Sequence, residues 1–160
     1  MNLKALWKKY RVYIISAALA LAVGGLSGLI SGSSMEQYES LIKPPLSPPG
    51  WLFPVVWTIL YILMGIAAAI IWESNDKDKD TALTVYAVQL AVNFLWPIFY
   101  FVFDAKLLAF LWLLLLIFLV LITIKNFGSI SAKGAWLLLP YFIWLIFAAY
   151  LNLATYILNR

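Results

Sequence analysis

Five stretches without a single charged side chain divide this sequence: Val12 to Met35, Pro44 to Trp72, Thr81 to Phe103, Leu107 to Ile124 and Gly134 to Asn159. A helix of about 20 residues crosses a bilayer core of roughly 30 Å. Even the shortest run, Leu107 to Ile124, has 18 residues. Inside lipid every backbone N–H and C=O must find a partner within the chain. Long apolar runs without dyad alternation meet that demand only as helices, which excludes a barrel. The fold class that follows is all-α, an integral membrane bundle of five transmembrane helices. A single domain over residues 1–160 is expected, with helices at about 12–33, 51–72, 81–103, 107–124 and 135–158 and a proline-rich loop at 34–50.

Composition agrees with this reading. Hydrophobic residues make up 65% of the chain and charged residues 11%, and the mean hydropathy is +0.96, well outside the range of a soluble globule. The net charge of +4 comes from basic residues scattered among short loops rather than gathered on one surface, so no nucleic-acid partner is expected. The basic residues read as topology signals instead. Lys4, Lys8, Lys9, Arg11, Lys77, Lys79, Lys125 and Lys133 fall at one end of the bundle, and Lys43, Lys106 and Arg160 at the other. The positive-inside rule places the N-terminus in the cytoplasm and the C-terminus outside. A basic start followed by an apolar run also resembles a secretory signal. The run exceeds a typical h-region of about 7 to 15 residues, so a retained first helix is expected.

Chemistry is limited by what is missing. The chain has no cysteine and no histidine, which removes disulfides, zinc sites, His-ligated haem and the usual general base near neutral pH. No Asp, Glu, Lys or Arg lies inside the five runs, so the relay of an ion-coupled pump is missing as well. Metal ligands are not expected, and no cofactor is required.

Eight tryptophans remain to be placed. Trp7, Trp51, Trp72 and Trp136 stand at helix ends and suit the interfacial belt. Trp57, Trp96, Trp112 and Trp144 fall a turn or more inside, where they need packing or a ligand. Helical spacing groups them with other residues. Gln89, Asn93 and Trp96 share one face, as do Tyr141, Trp144, Ala148 and Asn152, and Trp57, Tyr61 and Met64. Buried amides are costly without partners, so Gln89, Asn93 and Asn152 should face the interior. At about 1.5 Å per residue, Trp57 and Trp96 lie about 9–10 Å below the outer ends of their helices, Asn93 and Ala148 about 15 Å and Trp144 about 21 Å. These faces would line one apolar cavity in the outer half of the bundle, beneath the 34–50 loop, a common place for a small-molecule site. Four prolines in that loop, Pro44, Pro45, Pro48 and Pro49, forbid regular helix and make it a stiff lid or a plain spacer. Gly24, Gly28 and Gly32 form a small-residue stripe that serves either close packing within the bundle or a homodimer seam.

The ordered motifs Lys43-Pro44, Pro48-Pro49-Gly50-Trp51, Val56-Trp57-Thr58-Ile59-Leu60-Tyr61, Met64-Gly65, Gln89 to Trp96, Pro140 to Trp144, Phe147-Ala148 and Leu151-Asn152 resemble the translocator protein family, TspO/MBR, also called tryptophan-rich sensory proteins. The resemblance implies a five-helix protein of the bacterial cell membrane, often a homodimer, whose pocket under the first loop takes porphyrins and other apolar aromatic ligands. By motif, Tyr38 and Pro48 would form the loop side, Trp57 and Trp144 the aromatic walls, Asn93 and Trp96 the third-helix wall, and Ala148 the small position beside the ligand. Some bacterial members are reported to degrade protoporphyrin with light and oxygen, which would make Trp57 and Trp144 catalytic. Leu46 departs from the aromatic residue that many members carry, so a stacking contact from the loop is not implied here. The family's sterol motif has a formal match in Leu153, Tyr156 and Arg160, a pattern that recurs by chance at membrane ends.

Three functions follow as expectations: a receptor or transporter-like binder of tetrapyrroles such as protoporphyrin, with porphyrin as ligand rather than cofactor; a photo-oxidative porphyrin-degrading enzyme; and a ligand-free regulatory membrane subunit. The expected partners are a tetrapyrrole or other apolar small molecule, the lipid bilayer and a second copy of the chain.

Overall fold

The computed structural model describes residues 3–32 and 38–160. Residues 34–37 of the expected lid loop lie outside the described residues. Among the described residues there are five long α-helices: α1 (Leu3–Ser31), α2 (Leu52–Trp72), α3 (Lys79–Pro97), α4 (Lys106–Ile130) and α5 (Ala132–Leu158). All five are long and apolar enough to cross a membrane, and no strand occurs among the described residues.

Their ends differ from the expected ones in an instructive way. α1 begins at Leu3 rather than near Val12. α4 continues through Lys125 and Asn126 to Ile130, so the loop expected at Lys125 to Lys133 shrinks to the extended residue Ser131, whose side chain accepts a hydrogen bond from Gly134 N–H at 3.4 Å. Charges mark where hydrocarbon ends; a helical backbone ladder continues beyond that point into water. α2 tolerates Pro54 because its first turn has no intrahelical acceptor for that missing N–H. α3 runs into a π-helical segment, Ile98–Val102, immediately after Pro97. There Phe103 N–H reaches back five residues to Ile98 C=O at 3.0 Å.

The helices pack in the ring order α1, α2, α5, α4, α3, which closes where α3 meets α1. α1 and α2 meet backbone to backbone, because a Cβ on Gly65 would lie 2.4 Å from Ala17 Cα. The end of the bundle away from the lid is solid, filled by Ile71, Leu116, Val120, Phe127 and Leu138. Lipid-facing positions carry large apolar side chains, such as Leu29 at 78% exposure and Ile143 at 65%. Trp7, Trp51, Trp72 and Trp136 are all exposed, which fits the belt. Trp112 is held by packing: its indole donates to Val92 C=O at 2.8 Å.

Candidate ligand cavity

The end of the bundle under the loop is hollow. A cavity of about 460 Å³ lies between α1, α2, the C-terminal end of α3 and α5, with Tyr38 and Ser47 of the loop above it.

Its floor is a chain of hydrogen bonds between helices. Tyr61 OH donates to Asn93 Oδ1 at 2.7 Å, Asn93 Nδ2 donates to Tyr141 OH at 2.6 Å, and Tyr141 OH donates to Gln89 Oε1 at 3.0 Å. Gln89 is fully buried, and its amide nitrogen reaches only Met64 Sδ, at 4.0 Å. A second relay stands on the α3 side. Trp96 Nε1 donates to Asn152 Oδ1 at 3.2 Å, and Asn152 Nδ2 donates to Lys106 C=O at 2.8 Å. Each amide thus satisfies its neighbours, as burial in a low-dielectric interior demands. The hydroxyls around the cavity are engaged too: Ser27 donates to Phe94 C=O at 2.7 Å, and Thr58 to Pro54 C=O at 2.7 Å.

What faces the space is therefore mostly apolar, with the rings of Tyr38, Phe53, Trp57, Tyr61, Trp96, Tyr100 and Phe101 prominent among the lining groups. Trp57 lies 5.6 Å from Tyr61 and 6.1 Å from Tyr141, centroid to centroid. Trp96 lies 5.4 Å from Tyr100. No charged side chain borders the cavity among the described residues. Two lysines stand against rings of its wall. Lys43 Nζ lies 4.8 Å from the ring centroid of Tyr38 and pairs with Glu39, while Lys106 Nζ lies 6.0 Å from that of Tyr100 and pairs with Asp104.

Of the residues singled out from sequence, Tyr38, Trp57, Tyr61, Asn93, Trp96, Ala148 and Asn152 come together on the cavity surface. Four do not reach it. Gln89 and Tyr141 lie one layer below, where they brace Asn93. Pro48 contributes its carbonyl, which accepts from Tyr38 OH at 3.0 Å. Trp144 turns aside: on α5 it sits at the edge of the arc defined by Tyr141, Ala148 and Asn152, and it packs edge-on against Phe53 at 6.1 Å and beside Phe147 at 5.6 Å. Its buried indole N–H has no acceptor, alone in this among the described residues. The α1 contribution was not foreseen. Gly24 lets the Tyr61 ring lie where its own Cβ would be, 2.1 Å away, and Gly28 borders the space with nothing near it. Tyr100 and Phe101 enter from the π-helical segment, for which Pro97 was the only available signal.

The sequence profile of the TspO/MBR family matches residues 16–158. The chain belongs to the TspO/MBR family. Among curated relatives, the tryptophan-rich protein TspO of Chlorobaculum tepidum is 34% identical over 157 residues, covering 95% of this chain and 98% of its own. Protein CrtK of Rhodobacter capsulatus is 36% identical, over 94% of this chain and 92% of that one. The translocator protein of Ovis aries is 36% identical, over 86% and 85%. As a TspO/MBR member the chain is an integral membrane protein of five apolar helices.

Proposed function

We propose that this TspO/MBR protein is a membrane-embedded receptor or transporter-like binder of flat, apolar, aromatic ligands, with metal-free tetrapyrroles such as protoporphyrin as the leading class. The supporting observation is the cavity of about 460 Å³, whose amides are committed to ring hydroxyls, an indole N–H and a backbone carbonyl and whose surface is mostly apolar and rich in aromatic rings. Its size falls within the range of roughly 300–1,000 Å³ usual for ligand pockets. A ligand held there gains from ring contact and apolar burial. A metalloporphyrin would find no His or Cys for its iron anywhere in the chain.

In the orientation set by the basic residues, the N-terminus is cytoplasmic and the cavity opens toward the outer leaflet of a bacterial cell membrane. The protein in detergent, titrated with protoporphyrin, should show saturable binding that weakens about ten-fold, or about 1.4 kcal/mol, in Trp57→Ala. Non-saturable partitioning, identical in wild type and variant, would sink the proposal.

Photo-oxidative degradation is the second reading, favoured by the placement of Trp57 against both the cavity and two tyrosines. Trp144 lies off the wall, so the photochemical role falls on Trp57. Illumination of the complex should then bleach porphyrin more slowly in Trp57→Phe than in Trp144→Phe.

A further inference from the structure

The loop above the cavity is anchored by burial at Tyr38, which packs edge-on against Phe53 at 5.2 Å, and at Pro44, while its outer surface is open. Ile42 is 62% exposed and Leu46 81%, and Leu46 has a φ of +69°, in the left-handed region that costs an L side chain energy. The loop's side-chain hydrogen bonds to the bundle converge on the last turns of α5 and the residue that caps it. Ile42 N–H donates to Asn159 Oδ1 at 3.0 Å, and Asn159 Nδ2 donates back to Ile42 C=O at 3.0 Å. The same amide nitrogen donates to Thr155 C=O at 2.8 Å, which fixes its orientation. Tyr150 OH donates to Pro45 C=O at 2.9 Å.

The Asn159 side chain thus pairs with Ile42 as a neighbouring strand would, one donor and one acceptor in register. A primary amide can do this; a carboxylate lacks the donor and an alkyl group lacks both. Pro44 and Pro45 stiffen the chain that follows. Fixing Ile42 and Pro45 therefore fixes the segment that carries Ser47 over the cavity and Pro48, the acceptor for Tyr38. Asn159 does not border the cavity.

We infer that Asn159 is a positioning residue, a latch that holds the loop closed over the cavity and sets the rate at which ligand enters and leaves. The inference rests on the reading of the cavity as a ligand site. Because Asn159 touches no ligand, its removal frees the loop in both the empty and the filled protein. Association and dissociation then accelerate together while affinity changes little.

The test has two independent readouts on wild type, Asn159→Ala, Asn159→Asp and Tyr150→Phe. The first is hydrogen exchange of the Ile42 amide in the ligand-free protein, which reports opening of the loop directly. Protection should fall most in Asn159→Ala and less in Asn159→Asp, which keeps the acceptor. The second is stopped-flow binding of protoporphyrin. Both rate constants should rise at least five-fold in Asn159→Ala, with Kd within about three-fold of wild type and the melting temperature unchanged. Unaltered Ile42 protection in Asn159→Ala overturns the latch. Faster exchange with unaltered ligand rates overturns its role as gate. Absence of saturable binding in wild type defeats the ligand-site reading, and the gate with it, while the exchange data still report whether the loop is latched.

Discussion

At the residue scale, polar side chains of the spans bond to each other or to backbone carbonyls and leave a mostly apolar, ring-rich surface toward the cavity. Tyr141 is the centre of that arrangement, since its hydroxyl accepts from Asn93 and donates to Gln89. Tyr141→Phe strands one donor and one acceptor in a dry interior, a loss of about 1–3 kcal/mol. It should appear as a lower melting temperature in detergent, and an unchanged melt would show that the floor contributes no net stability. The glycines of α1 make a paired prediction. Gly24→Ala drives a methyl into the Tyr61 ring and should weaken both stability and protoporphyrin affinity. Gly28→Ala meets open space and should leave the melting temperature where it is. Equal effects from the two substitutions would contradict the packing described. Sequence could place the small-residue stripe on α1, but not assign it. Whether a glycine faces a ring, a cavity or another protein is decided by elements far away in the chain.

At the element scale, uninterrupted apolar runs located all five helices, because nothing else satisfies the backbone in lipid. Their ends were less legible. Lys125 and Arg11 mark the edge of hydrocarbon, while α4 and α1 extend past them. The π-helical segment after Pro97 was not legible either, yet it brings Tyr100 and Phe101 to the cavity. Helical periodicity grouped Trp57 with Tyr61 and Met64, and Asn93 with Gln89 and Trp96; of these Trp57, Tyr61, Asn93 and Trp96 border the cavity, while Gln89 and Met64 lie behind it. It could not show that Trp144, only one turn from Ala148, faces Phe53 instead of the hollow. The α1–α2 crossing belongs to this scale too. Gly65→Ala places a Cβ 2.4 Å from Ala17 Cα, and a backbone cannot step aside as a side chain can. The substitution should force the two helices apart and destabilise the bundle by about 1–3 kcal/mol, the usual cost of overpacking. A melt matching wild type would contradict that close crossing.

At the scale of the whole molecule, a solid half and a hollow half share one ring of helices, and the loop covers the hollow end. The asymmetry of basic residues predicts the orientation we propose for this object in the membrane. The absence of cysteine makes that orientation simple to check with single introduced thiols. In intact cells, Asp104→Cys should react with a membrane-impermeant maleimide and Asp76→Cys should not; the reverse pattern would invert the topology. The central claim is that the hollow half receives an apolar aromatic ligand. Ala148 tests it most directly, since it is a small side chain on the cavity wall and makes none of the hydrogen bonds of the floor. Protoporphyrin titration of Ala148→Trp, alongside its melting curve, should show saturable binding lost while the fold melts at or above the wild-type temperature. Undiminished affinity in a protein whose cavity is filled by an indole would contradict the claim.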